Sequence, residues 1–166
     1  DVRQALFARN GAWTASGGAI EVDRAVLTVR NSIFSDNLAA TDGGAVRVTG
    51  ANGSLSDVTF DHVTATFNLA GQSGSVLDLA YTDALVTNSV FVQNSGSEAI
   101  EGATSTAAPT YAQSYCWADA NSPGNYAITP DPTGIHGNVE QDPFVLATDD
   151  SDWTNDTWLL TPSSPA

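Results

Sequence analysis

Two short motifs alternate along residues 7–102 at a nearly constant interval, and this periodicity constrains the fold more than any other feature of the chain. The first is Ser16-Gly-Gly-Ala-Ile-Glu-Val22, which aligns without gaps with Asp42-Gly-Gly-Ala-Val-Arg-Val48 and Ser73-Gly-Ser-Val-Leu-Asp-Leu79. Glu98-Ala-Ile-Glu-Gly102 is a more degenerate fourth copy. The second motif is Phe7-Ala-Arg-Asn10, followed by Phe34-Ser-Asp-Asn37, Phe60-Asp-His-Val63 and Phe91-Val-Gln-Asn94. The phenylalanines lie 27, 26 and 31 residues apart, and Gly17, Gly43 and Gly74 lie 26 and 31 apart. Five extra residues are therefore expected between Phe60 and Gly74.

Each unit reads as strands. Ile20/Val22, Val46/Val48 and Leu77/Leu79 alternate with Glu21, Arg47 and Asp78, the two-residue period of a half-buried strand. A second strand precedes each phenylalanine, as in Leu27–Asn31 and Leu85–Asn88, and Gly or Asn punctuates the chain between strands. About 26 residues at ~3.3 Å each make a closed loop of roughly 85 Å, a perimeter that suits one coil of three short strands. Equivalent residues then stack ~4.8 Å apart. The pattern predicts an all-β right-handed parallel β-helix of about four coils plus an irregular C-terminal region. Expected columns are Phe34/Phe60/Phe91, Val29/Leu55/Val86 and, capping backbone groups at a turn, Asn31/Asp57/Asn88. The coils occupy residues 1–102. Residues 103–136 read as an irregular excursion, with turn signals at Pro123-Gly124 and Pro130–Pro132, and residues 137–166 read as a closing segment of the same domain.

Charge restricts the partners. Nineteen acidic residues face five basic ones, all arginine, for a net charge of −14. Such a surface repels nucleic acid, anionic lipid and anionic polysaccharide, and leaves cations, neutral glycans and basic proteins open. No apolar run approaches the ~20 residues of a membrane helix, so no membrane insertion by this segment is expected. A single cysteine, Cys116, excludes an internal disulfide framework and reads as a buried small hydrophobe.

At the two motifs the chain resembles the polymorphic outer-membrane-protein type of β-helix repeat, in which Gly-Gly-Ala-Ile alternates with Phe-x-x-Asn. The matching residues are Gly17–Ile20 with Phe34–Asn37, and Gly43–Val46 with Phe91–Asn94. The third coil departs, with Ser75 where Gly44 stands and Val63 where Asn37 stands, which places its asparagine turn in question. Gly137–Phe144, Trp158-Leu-Leu160 and Ser163–Ala166 resemble the ending of pectate-lyase-like bacterial surface proteins. The resemblance implies an extracellular or cell-surface protein, often an adhesin, on a fold that also hosts polysaccharide lyases and hydrolases; fold alone does not choose among them. The chain opens inside a repeat without a polar cap. The expected partner is therefore the rest of a longer parent chain, or another protein, covering the N-terminal coil, since open strand edges aggregate.

Glu21, Arg47, Asp78 and Glu101 occupy one outward position in successive coils and form a column. Asp78 and Glu101 would then stand near the carboxylate separation used by retaining glycosidases, with one pKa raised by mutual repulsion. The plainer reading is a solvated charge ladder in which Arg47 neutralises its neighbours. Tyr111, Tyr115 and Trp117, with Tyr126 nearby, are candidates for a sugar-stacking platform or for aromatics buried against the coil flank. Asp149, Asp150, Asp152 and Asp156 could supply oxygen ligands to calcium, the single cofactor candidate, although an EF-hand's Gly and bidentate Glu are missing. A lyase needs a basic residue among calcium carboxylates; this chain has no lysine, and in sequence Arg3, Arg9, Arg24, Arg30 and Arg47 are not clustered with Asp pairs. His62 and His136 have no metal-ligand partner in sequence; His62 reads as an exposed turn residue. The leading expectation is a non-catalytic surface module, adhesive or structural. The alternatives are a polysaccharide-active enzyme fragment and a subunit that stacks end to end in an extracellular assembly.

Overall fold

The computed structural model describes residues 1–103, 111–114, 116–119, 121–128, 137–138, 145–146 and 159–160. The described elements are all strands, and the chain winds them into a parallel β-helix of about four turns. One face stacks Ile20–Asp23, Val46–Thr49, Leu77–Ala80, Ile100–Ala103 and Tyr126–Ala127, in that spatial order. A second face is led by the long strands Val26–Ser35 and Ser56–Thr66, which bend midway and pair with Thr82–Thr87 and Val90–Val92. A short third face joins Gly11–Ala12, Leu38–Ala39 and Leu69–Ala70. Within the stretch read as an excursion, Tyr111–Ser114, Trp117–Asp119 and Tyr126–Ala127 keep the same parallel register, so the stack runs on past residue 103.

The corners explain how a strand turns without losing its ladder. Gln4, Asn31, His62 and Asn88 share one corner, and all four have left-handed backbone (φ 51°, 49°, 56° and 51°). The preceding and following residues pair across coils, Arg30 with Asp61 and Ser32 with Val63. A single left-handed residue swings the chain to the next face, a conformation Asn and His tolerate better than most. The column predicted at this turn thus contains His62 in place of Asp57, which pairs instead with Val26 and Asp83. His62 is exposed, as expected of a turn residue, with Nδ1 2.9 Å from Asp61 Oδ1. At the next corner Arg9, Asp36, Phe67 and Gln93 are left-handed (φ 55–57°).

Immediately after that second corner an asparagine turns inward in every coil. Asn37, Asn68 and Asn94 are at most 1% exposed. Each side-chain oxygen accepts both the backbone N–H and the amide of the asparagine one coil earlier. Asn37 donates to Asn68 at 3.1 and 2.9 Å, and Asn68 donates to Asn94 at 2.9 and 2.9 Å. The ladder extends to Asn10 at one end and to Asn121 at the other. Both lone pairs and both amide hydrogens are used, which is what a buried amide requires.

The asparagines locate the irregular coil. Consecutive rungs lie 27, 31, 26 and 27 residues apart, so the third coil keeps its asparagine turn, at Asn68, and lacks the phenylalanine instead. Backbone register runs Phe7–Phe34–Ala65–Phe91–Ala118, while Phe60, rather than Leu55, stacks in the column of Val29 and Val86. The expected aromatic column is half realised in space: although Ala65 holds the backbone position beside Phe34, the Phe60 ring stacks on Phe34 with centroids 6.0 Å apart and planes 6° apart. The five extra residues sit earlier than predicted. Thr49 pairs with Ala80 and Ser56 with Thr82, so the surplus falls between Thr49 and Ser56 and is extruded as a hairpin closed by Ala51 and Ser54.

Glycine matters most at the tight start of the first face. Gly17, Gly43 and Gly74 have φ of +66°, +66° and +56°. Their neighbour Gly44 lies so close to the next coil that a Cβ there would come within 2.3 Å of the Ser75 carbonyl oxygen. Ser75 occupies the equivalent position one coil on, where it is buried and donates to the Glu98 carbonyl at 3.2 Å. Phe34, Phe60, Phe91, Leu77, Ile100 and the inward valines, such as Val29, Val46, Val58 and Val86, fill the interior. Cys116 is buried there, 3.6 Å from the Val86 carbonyl oxygen.

Candidate functional site

The first face carries the charge column. Alternation along Ile20–Asp23 and its equivalents turns the valine, leucine and isoleucine positions inward and the intervening position outward, and the register sets Glu21, Arg47, Asp78 and Glu101 side by side. Arg47 ties three coils together. Its Nη1 lies 3.1 Å from Glu21 Oε1, its Nη2 3.6 Å from Asp42 Oδ2 and its Nε 3.3 Å from Asp78 Oδ2. Asp42 is a member of this cluster that two-residue alternation does not point to. A signal was present, since it replaces Ser16 and Ser73 as the sole acid at its repeat position, one residue before the left-handed glycine. Ser16 reaches Asp42 Oδ2 at 3.3 Å from the coil before.

The column is not uniformly solvated. The Asp78 side chain is only 10% exposed, whereas the Glu21 side chain is about half exposed at 48%. Burial, with the Asp42 carboxylate adding repulsion, outweighs Arg47 and pushes Asp78 up to about 6; Glu101 contributes further repulsion. Glu101 in turn accepts the Gly74 backbone N–H at 3.2 Å. Both carboxylates of the glycosidase-like pair are thus neighbours in register, and each is already engaged by the protein.

Asp78 sets a sign for pH dependence. Its folded pKa of about 6 exceeds the ordinary 3.8, so between these values the folded chain holds a proton that the unfolded chain releases. Stability is gained as pH falls through 6 toward 4 and lost as pH rises through 6. Asp78→Asn is expected to be more stable than the parent at pH 7 by on the order of 2 kcal/mol, with the gap closing by pH 4. Urea melts of both proteins at the two pH values measure this; a gap that does not change with pH would remove the assignment.

Tyr111 and Trp117 lie on the second face, paired with Ala84 and Val90. Tyr126 belongs to the first face, and its hydroxyl accepts from the Gln113 amide at 2.7 Å. Tyr115, His136 and the acidic run Asp149, Asp150, Asp152 and Asp156 lie outside the described residues. Among the described residues, no three His, Cys, Asp or Glu side chains are placed to hold a metal ion.

Residues 31–49 match the Chlamydia polymorphic membrane protein repeat. They run from the left-handed corner at Asn31 through Phe34–Asn37 and Gly43–Val46 to the end of the first-face strand at Thr49, and stop short of the next equivalent corner at His62. The chain is a β-helix repeat protein that resembles these repeats. No curated protein and no solved structure matches it. The matched stretch contains Asp42 and Arg47, so in this β-helix the centre of the charge column lies on the repeat-like coil itself.

Proposed function

We propose that this β-helix is a non-catalytic module of a bacterial cell-surface protein, a stiff acidic rod that presents or spaces adhesive contacts outside the cell. The observation that supports this reading most is the asparagine ladder, which passes from Asn10 to Asn121 without a gap and holds each coil to the next in one register. A rod is what regular nearest-neighbour stacking produces. The membrane-protein repeat over residues 31–49 and the net charge of −14 agree with display in water at a surface. Antibody against the chain is expected to label intact source cells, and the signal is expected to vanish after external protease. Labelling that appears only after permeabilisation would defeat the proposal.

A second reading has one observation in its favour. The Asp78–Glu101 neighbours include a carboxyl with a pKa of about 6, the property of a general acid. On this reading the column is the cleft of a glycan hydrolase. It requires the purified chain to cleave a neutral polysaccharide and Asp78→Asn to abolish the cleavage.

A further inference from the structure

The extruded hairpin between Thr49 and Ser56 carries chemistry of its own. Its tip is Asn52-Gly53, held by reciprocal hydrogen bonds between Ala51 and Ser54, each N–H reaching the other's carbonyl at 2.9 Å. Asn52, Gly53 and Ser54 are all exposed. Gly53 has φ +82°, and a Cβ built on it would meet nothing within 4 Å. No hydrogen bond restrains the Asn52 amide among the described residues. Neither a hydrogen bond on the Asn52 amide nor packing against Gly53 therefore holds the Asn52 side chain away from the backbone nitrogen that follows it.

We propose that Asn52 is a site of self-modification. The Gly53 backbone nitrogen attacks Asn52 Cγ; the Gly53 N–Cγ bond forms, the Cγ–Nδ2 bond breaks, and ammonia leaves with the proton from Gly53 N–H. The product is a cyclic succinimide. Water then opens one of its two carbonyls, leaving aspartate or the β-linked isoaspartate. No oxidant, cofactor or second protein takes part. The outcome is one more negative charge at the tip and, in the β-linked product, an additional methylene in the main chain. Because the hairpin lies off the coil path, with Thr49 and Ser56 still paired to Ala80 and Thr82, the stack keeps its register through the change.

The chain contains an internal control. Asn10-Gly11 is its only other Asn-Gly pair. Although Asn10 is exposed, it is a rung of the ladder: its Nδ2 and backbone N donate to Asn37 Oδ1 at 2.8 and 3.1 Å, and its carbonyl accepts from Leu38 N at 2.9 Å. Gly11 is held in a strand against Leu38. Turning the Asn10 side chain toward its own following nitrogen breaks the Nδ2 bond to Asn37, and the backbone rotation that closes the ring breaks the Leu38 N–H bond to the Asn10 carbonyl; at about 1 kcal/mol each, these slow the reaction by roughly tenfold or more.

The test is to hold the folded chain at mildly alkaline pH and follow both sites by peptide mass mapping with an isoaspartate-specific assay. The Asn52 peptide is expected to convert at least about tenfold faster than the Asn10 peptide. In urea the two are expected to convert at similar rates, and Asn52→Gln is expected to leave the hairpin peptide unmodified in the folded chain. Equal rates at Asn10 and Asn52 in the folded chain would overturn the proposal. So would an Asn52 that stays intact while both sites convert in urea.

Discussion

Asn68→Ala is expected to destabilise the β-helix by about 3–5 kcal/mol, because several buried groups lose their partners together and each costs about 1–3 kcal/mol. The Asn37 N–H is orphaned, the Asn37 amide loses one acceptor, and the Phe34 and Thr66 carbonyls lose the Asn68 amide at 3.1 and 3.2 Å. At a position that is 0% exposed, bulk solvent does not reach the freed groups as it does at the surface. The contrast is Asn10→Ala at the exposed rung, where solvent can replace the lost bonds and a loss below about 1 kcal/mol is expected. Equilibrium urea unfolding of the two variants measures both. If they lose the same amount, the ladder is not a major source of stability and the coil corners are held by the strand pairing alone.

The second large effect concerns how the third coil fills its interior. Elsewhere a coil pairs a valine with a phenylalanine five residues later, Val29 with Phe34 and Val86 with Phe91; the third coil has Phe60 and Ala65. Phe60→Val alone removes the ring stacked on Phe34 and is expected to cost about 2–4 kcal/mol. Ala65→Phe alone inserts a ring at a fully buried position beside the Phe34–Phe60 stack and is expected to cost about 1–3 kcal/mol. The double variant rebuilds the arrangement of the neighbouring coils and is expected to stay within about 1 kcal/mol of the parent, a coupling of at least about 2 kcal/mol. Additive losses in the double variant would show that the two sites do not share one space.

The same pair shows what the sequence discloses and what it hides. Regular coils were legible because two signals, a left-handed glycine before the first strand and a phenylalanine three residues before an asparagine, recur together at one interval. They separate in the third coil, where Phe60 mimics the motif and Asn68 follows an unrelated Ala65-Thr-Phe. A ring can reach an aromatic neighbour from another backbone position, so spacing by phenylalanine misplaces the insertion by part of a coil. An amide that must donate to the next rung has no such latitude, and the asparagines give the register where the phenylalanines do not. The charge column was legible for a similar reason, since Gly43 and Gly74 anchor Arg47 and Asp78 at equal distance. Asp42 escaped because it lies in the turn, where two-residue alternation no longer says which way a side chain points. The burial of Asp78 escaped because outward alternation predicts a direction and says nothing of what packs over it.

The stack also has a mechanical grain. Every inter-coil hydrogen bond, including the asparagine rungs and the reach of Arg47 across three coils, runs along the rod, while the polypeptide itself runs around it. Bending such a rod opens many of these bonds on one side at once and is resisted by all of them. Tension applied to a free strand loads only the rungs of the outermost coil, which yield before the next coil feels the pull. The molecule is therefore stiff as a beam and weak as a thread, and a cell that used it would do better to push against it than to hang from it.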